Sequence, residues 1–121
     1  MLDNSTTSFA KGLAAEKRAQ DYLIQKGYLL LAHRYKTKFG ELDLVMHQGH
    51  KLFFFEVKQR PTLAQGLECI TLKHRQRLWQ AGEHFLHNAC NEFPWDTVQF
   101  DLIVVLPCCT ITHMGNVLSS E

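Results

Sequence analysis

Four charged side chains fall on alternate positions of two neighbouring apolar-rich runs: Glu41 and Asp43 in GELDLVMH, Glu56 and Lys58 in KLFFFEVK. The polar QGH between the runs marks them as a β-hairpin, whose pairing brings Asp43 and Glu56 close enough to share a divalent cation. Hard ions such as Mg²⁺ and Mn²⁺ take oxygen ligands and keep several waters. Asp43, Glu56 and the carbonyl of Val57 would form such a half-open site, with Glu16, from a helix nearer the amino terminus, as an outer ligand. An ion held there polarises a phosphodiester and lowers the pKa of a bound water. Lys58 lies two residues beyond Glu56 on the same strand face. Its ammonium would orient the attacking hydroxide or stabilise charge building on the phosphorus oxygens. Asp43, Glu56, Lys58 and Glu16 are therefore the candidate catalytic residues.

An E-x-K by itself arises by chance about 0.4 times in a chain of this length, so the triplet alone carries little. Its setting carries more. Glu56 follows three phenylalanines and precedes a valine, and Asp43 lies within the apolar run Leu42 to Met46. Carboxylates in such surroundings are costly unless compensated, and a metal is a common compensation. Ion pairs to Lys58 and Arg60 are the other, and they would make the hairpin purely structural.

The elements that must position these groups follow from periodicity. Gly12, Glu16, Ala19 and Leu23 share one face of a helix predicted over residues 9–26, which Gly27 stops. YLLLAHRY (28–35) reads as a first strand, ELDLVMH (41–47) and KLFFFEVK (51–58) as the hairpin. Alternation puts Phe53, Phe55 and Val57 on one face of the last strand, and Phe54, Glu56 and Lys58 on the other. Pro61 and Gly66 mark a loop. Thr71 caps a helix through about Ala89 with Leu78, Ala81, Phe85 and Ala89 as its apolar line. TVQFDLIVVL (97–106) is a buried strand ended by Pro107, and TITH forms a short strand near the end. The order α-β-β-β-α-β predicts an α/β fold with a central mixed β-sheet flanked by helices.

With 121 residues, 45% hydrophobic and 21% charged, the chain suits one globular domain over residues 9–117. A flexible polar start (1–8) and a short tail (118–121) would flank it. No apolar run approaches the roughly 20 residues of a membrane span. The amino terminus lacks the basic start and apolar stretch of a secretory signal, which predicts a cytoplasmic protein. Cys69, Cys90, Cys108 and Cys109 show no metal-binding spacing and read as reduced thiols. His84, His87 and Cys90 recur at steps of three, which drift by about 60° each around a helix and so diverge.

A helix ending in the pattern Ala19, Leu23, Gly27-Tyr28, followed by Gly40-Glu41-Leu42-Asp43, Phe55-Glu56-Val57-Lys58 and Phe100-Asp101, resembles the bacterial YraN-like family. That family is similar to archaeal Holliday junction resolvases and looks like a branch of the PD-(D/E)xK nuclease superfamily. The resemblance covers roughly residues 9 to 117. It implies a restriction-endonuclease-like core in which Asp43 and Glu56 are metal ligands, Lys58 the catalytic lysine and Glu16 the helix carboxylate. Glu41 matches the motif, and its alternation with Asp43 permits it to face the site. Three departures bear on substrate contacts: His33-Arg34 where Arg-Asn is expected, Gln59 where Thr or Ser is commoner, and Gln99 where Arg usually precedes Phe-Asp.

A formal charge of +1 neither demands nor excludes a nucleic-acid partner, so placement decides. Basic clusters stand at HRYKTK (33–38) and KHRQR (73–77). Arg34, Lys36, Lys38, Arg60 and Lys73 are the candidate phosphate contacts, giving affinity without much sequence preference. The leading expectation is a Mg²⁺- or Mn²⁺-dependent endonuclease-like protein acting on DNA, with branched or unusual structures as substrates and, by resemblance, a homodimer as its assembly. No small-molecule cofactor and no membrane are expected. The alternative is a non-catalytic nucleic-acid-binding module on the same fold. Asp101 reads as structural, His113 has no assigned role, and Trp79 and Trp95 read as core or interface.

Overall fold

The computed structural model describes residues 8–89 and 94–118. Its elements are α1 (Ser8–Gln25), β1 (Leu29–Thr37), β2 (Gly40–Gln48), β3 (Lys51–Gln59), α2 (Leu63–Glu68), α3 (Leu72–Asn88), β4 (Thr97–Val105) and β5 (Ile111–Met114). Cys90 and nearly all of the expected flexible start and tail lie outside the described residues. Ser8, counted with that start, is the first residue of α1. The segment read as a loop after Pro61 contains the short helix α2, capped by the Thr62 side chain on the Gln65 N–H. Gly66 hid it, since glycine disfavours a helix interior. A side chain there would meet Val104, its Cβ only 2.5 Å from Cγ2.

The five strands form one mixed sheet in the order β1-β2-β3-β4-β5. β3 and β4 are parallel, and the other neighbours are antiparallel. A parallel pair needs a crossover connection, which α2 and α3 supply. α1 lays Ala15, Ala19 and Leu23 over Leu44, Met46, Phe53 and Phe55 on one face. α3 lays Leu78, Ala81 and Phe85 over Val45, Leu52, Phe54 and Phe100 on the other. With both faces covered, β3 and β4 read as near-continuous apolar runs. This is an α/β fold, consistent with a restriction-endonuclease-like core.

Two local devices set the helices. Gly27, at φ 96°, ends α1 in a left-handed turn: its N–H bonds the Ile24 carbonyl, and the Tyr28 N–H bonds that of Leu23. Gly82 lets α3 lie close on the sheet, since an added Cβ would stand 2.6 Å from Phe100 Cζ and 3.0 Å from Phe54 Cε2. Ala normally favours a helix interior over Gly by about 1 kcal/mol. Here overpacking reverses the sign, and Gly82→Ala is expected to destabilise by roughly 1–3 kcal/mol. A lowered urea midpoint at unchanged slope would show it; a raised midpoint would contradict the close packing.

The hairpin does not stay paired to its open end. Register pairs between β2 and β3 run from Gln48↔Lys51 to Leu44↔Phe55 and stop there. One further step would have set Asp43 opposite Glu56. Beyond that point β2 stays with β1 as far as Gly40, while β3 stays with β4 as far as Gln59. The two strands part, and a gap opens between them.

Candidate active site

Asp43 stands at the fork. Its Oδ2 accepts the Val57 N–H at 2.8 Å, so a side chain takes over a backbone donor that strand pairing has released. In a strand, a residue's carbonyl points to the same side as its N–H, so the Val57 carbonyl faces the same gap. A cavity of about 370 Å³ fills the fork, and Glu16, Glu41, Asp43, Glu56, Val57 and Lys58 all line it. Every residue expected at the catalytic and metal site on sequence grounds thus borders one cavity. Glu16 arrives from α1, whereas His74 and Arg77 arrive from α3. The parted strands let both helices reach one place.

Three of the carboxylates are nearly buried: Glu16, Asp43 and Glu56 keep 7%, 9% and 8% of their surface. Two of them have cations of their own. Glu56 Oε2 is 3.2 Å from Lys58 Nζ and 3.1 Å from His74 Nε2. Glu16 Oε1 is 2.9 Å from Arg34 Nη1 and 3.2 Å from His33 Nε2. Successive strand residues normally point to opposite faces, yet His33 and Arg34 reach the same oxygen. Arg34 does so at φ 55°, a left-handed conformation costing a non-glycine residue on the order of 1–2 kcal/mol. The expected Asn would carry that conformation more easily. Strain at such a position points to function.

Asp43 has no cation within salt-bridge distance among the described residues. Burial, and next the charge of Glu56, push its carboxyl up to about 8 despite the Val57 hydrogen bond. Glu16 adds to the rise, and Lys58 opposes it. The donor set of carboxylate and carbonyl oxygens suits Mg²⁺ or Mn²⁺, and a buried carboxylate with no bonded cation is the group such an ion would compensate. By chemistry the residues fit. Among the described residues, however, no three His, Cys, Asp or Glu side chains converge in ligating geometry. Glu56 and Glu16 are turned onto their cations instead.

The nucleic-acid candidates separate. Arg34 is engaged with Glu16 and lies 3.7 Å from Glu41, so it organises the acidic cavity. Lys36 and Lys38 are exposed on β1 and the turn after it, and Arg60 lies just past the end of β3. Lys73 is exposed and does not line the cavity; its neighbours His74 and Arg77 do, and of these sequence reasoning missed His74. The signal was present, because His74 precedes Leu78 by one helical turn and so extends the buried line. Thr71 fixes that turn by capping the His74 N–H at 3.1 Å. Asp101 is structural: its carboxylate accepts from Gln99 Nε2 and the Asn116 N–H, and His113 Nε2 lies 2.6 Å away. Trp79 is half exposed beside a groove of about 690 Å³, whose lining among the described residues holds a single carboxylate, Glu83. Among the described residues no helix is long and apolar enough to cross a membrane.

The mixed α/β sheet that carries this acidic cavity at the forked end of its hairpin is consistent with a restriction-endonuclease-like core. The chain matches the Uncharacterised protein family UPF0102 over residues 15–105 and belongs to that family, the YraN-like one. It is 39% identical over 100 residues to a UPF0102 protein of Nitrobacter winogradskyi, covering 83% of this chain and 84% of that one. A UPF0102 protein of Chelativorans sp. is 33% identical over 114 residues, covering 94% and 91% of the two chains. A UPF0102 protein of Bartonella tribocorum is 36% identical over 114 residues, covering 94% and 87%.

Proposed function

We propose that this chain is a Mg²⁺- or Mn²⁺-dependent nuclease that binds DNA and hydrolyses its phosphodiesters, choosing substrates by shape rather than base sequence. The observation that carries this reading is the buried Asp43 carboxylate, beside Glu56 and Lys58 in a cavity formed by parting strands. Asp43, Glu56 and the Val57 carbonyl would hold the ion, with Glu16 behind them. Bound there, the ion would supply Lewis acidity toward the phosphate and an acidified water. Lys58 brings a positive charge to the cavity and, in the resting arrangement, neutralises Glu56 at 3.2 Å. Swung from that carboxylate to a phosphate oxygen, it stabilises charge that develops there. Arg34 keeps Glu16 and Glu41 from repelling the incoming phosphate, and Arg77 adds a cation from α3.

One observation favours a second reading. The pairing of Glu56 and Glu16 with their own cations suits a protein that holds nucleic acid without turnover.

Both readings require binding that is steep in salt and indifferent to base sequence, because the contacts are scattered Lys and Arg side chains. Affinity for a four-way junction should exceed that for a linear duplex, and both should fall sharply from low to physiological salt. A flat salt response, or no binding at any salt, overturns both readings. Cleavage in Mn²⁺ that EDTA abolishes separates the nuclease from the binding module.

A further inference from the structure

A second cleft, of about 310 Å³, adjoins the acidic cavity and shares Val57 and Lys58 with it. One wall is the end of β3, with Lys58 and Gln59, and Arg60 just beyond it; the other is the start of α1, with Ser8, Lys11 and Gly12. Among the described residues no carboxylate lines it, and the charged groups there are Lys58, Arg60 and Lys11. Resting on the nuclease reading, we propose that this cleft seats the backbone phosphate next to the one in the acidic cavity, with Lys11 as a contact.

Three observations lead there. α1 and β3 run past each other so that Glu16 and Glu56 both line the cavity, while Lys11 and Arg60 both line the cleft. The charge changes sign from the cavity to the adjoining cleft, and Lys58 borders both. A strand of nucleic acid entering by the cleft would therefore be attracted, and it would meet the acids only at the place where an ion neutralises them.

Spacing is the second observation. Lys58 and Arg60 are two residues apart, so they lie on one strand face and are separated by about 6.6 Å along it. That step is on the order of the spacing between successive phosphates of an extended strand. The Arg60 N–H bonds the Val105 carbonyl at 3.3 Å, so strand-like backbone continues to this residue. The third observation is availability. Among the described residues the exposed Lys11 has no carboxylate partner, and Arg60 Nη1 donates only to the Gln59 carbonyl, at 2.8 Å. Among the described residues nothing outside the helix's own backbone stands within 4 Å of where a Cβ would lie at Gly12. Lys17 makes the contrast on the same helix: it is exposed too, but its ammonium is 3.0 Å from Asp21.

The test compares two charge reversals on one helix. Lys11→Glu and Lys17→Glu change the net charge equally, and only the first alters the cleft. An acid in the first turn of α1 is favoured by the helix dipole, so Lys11→Glu should fold, as circular dichroism would verify. Lys11→Ala serves as the second variant. The probe is a fluorescently labelled four-way junction, titrated over a range of salt in Ca²⁺, which takes oxygen ligands as Mg²⁺ does. Lys11→Glu should weaken binding by about 10-fold or more at low salt and lessen the logarithmic salt slope by about one, with Lys17→Glu within about 2-fold of the parent. Lys11→Ala should fall between them. If the parent binds and the two reversals weaken it equally, the cleft is not a phosphate seat, and the nuclease reading stands. If the parent binds the junction at no salt, the nuclease reading fails and the cleft with it.

Discussion

Lys58→Ala should lose cleavage by roughly 100-fold or more, the scale seen when one preorganised charge on a developing oxyanion is removed. The variant should still take up Mn²⁺. In the resting site the ammonium touches Glu56 and no other carboxylate within salt-bridge distance among the described residues. Removing it takes a competing cation away from a proposed ligand, and His74 remains 3.1 Å from the same oxygen. Ion affinity should therefore be equal to the parent's or higher. The two readouts separate roles that a single activity assay confuses. Asp43→Ala should abolish both cleavage and ion binding, because it removes a ligand and leaves the Val57 N–H without its acceptor. Lys58→Arg should restore part of the rate, since the charge returns in another shape. Parental cleavage by Lys58→Ala on a panel of DNA structures would show that Lys58 does no chemistry, and the residue would then be the structural partner of Glu56.

How far the site was legible depends on what kind of signal each part carried. The strands and the two long helices were readable because burial on one or both faces writes a period into the sequence: Phe53-Phe55-Val57 against Phe54-Glu56, and Leu78-Ala81-Phe85 along α3. Thr71 and Gly27 punctuated the helices and act as cap and stop in the fold. That Glu16, Glu41, Asp43, Glu56 and Lys58 border one cavity followed from hairpin register and from the family resemblance. The parting of β2 from β3 was not legible. It depends on β2 following β1 while β3 follows β4, and that competition is tertiary. The left-handed Arg34 was hidden for the same reason, since nothing in HRYK marks a strained residue; the strain is repaid by contacts with Glu16 and Glu41, which are remote in sequence. His74 was overlooked in favour of Lys73 because charge was weighted above helical position. A histidine extending a buried line is the stronger signal, as it must find a polar partner. The structural rival shifts as well. It supposed ion pairs among the carboxylates, Lys58 and Arg60, whereas Lys58 is paired with Glu56 and Asp43 has no bonded cation among the described residues.

Asp43→Asn should melt higher than the parent when no divalent ion is present, by about 3 °C or more, and the gap should widen with pH. The substitution is nearly isosteric, and the Asn oxygen can still accept the Val57 N–H now held by Oδ2 at 2.8 Å. What it removes is charge in a place that resists charge. In the folded parent, burial and then Glu56 raise the Asp43 carboxyl to about 8, whereas in the unfolded chain it titrates near its ordinary value of about 3.9. Between those values the native state keeps a proton that the unfolded chain has lost, so parental stability falls as pH rises through the window. The contribution is whole below about pH 4 and gone above about pH 8. The coupled carboxylates will share the titration, so a loss of roughly 1–2 kcal/mol is expected between mildly acidic and mildly alkaline solution. Asp43→Asn should lack most of that slope. Mn²⁺ acts in the opposite sense, because it binds the ionised native site: it should raise the parent's melting temperature more as pH rises, by about 2.7 kcal/mol at a hundredfold excess over its dissociation constant. The same ion should do little for Asp43→Asn. A purely structural site predicts another pattern, in which Asp43→Asn melts at or below the parent and neither protein responds to Mn²⁺. Melts of both proteins at three pH values, with and without Mn²⁺, tell the two apart. A parent insensitive to Mn²⁺ at every pH would remove the metal and leave the acidic cavity as a lattice of ion pairs.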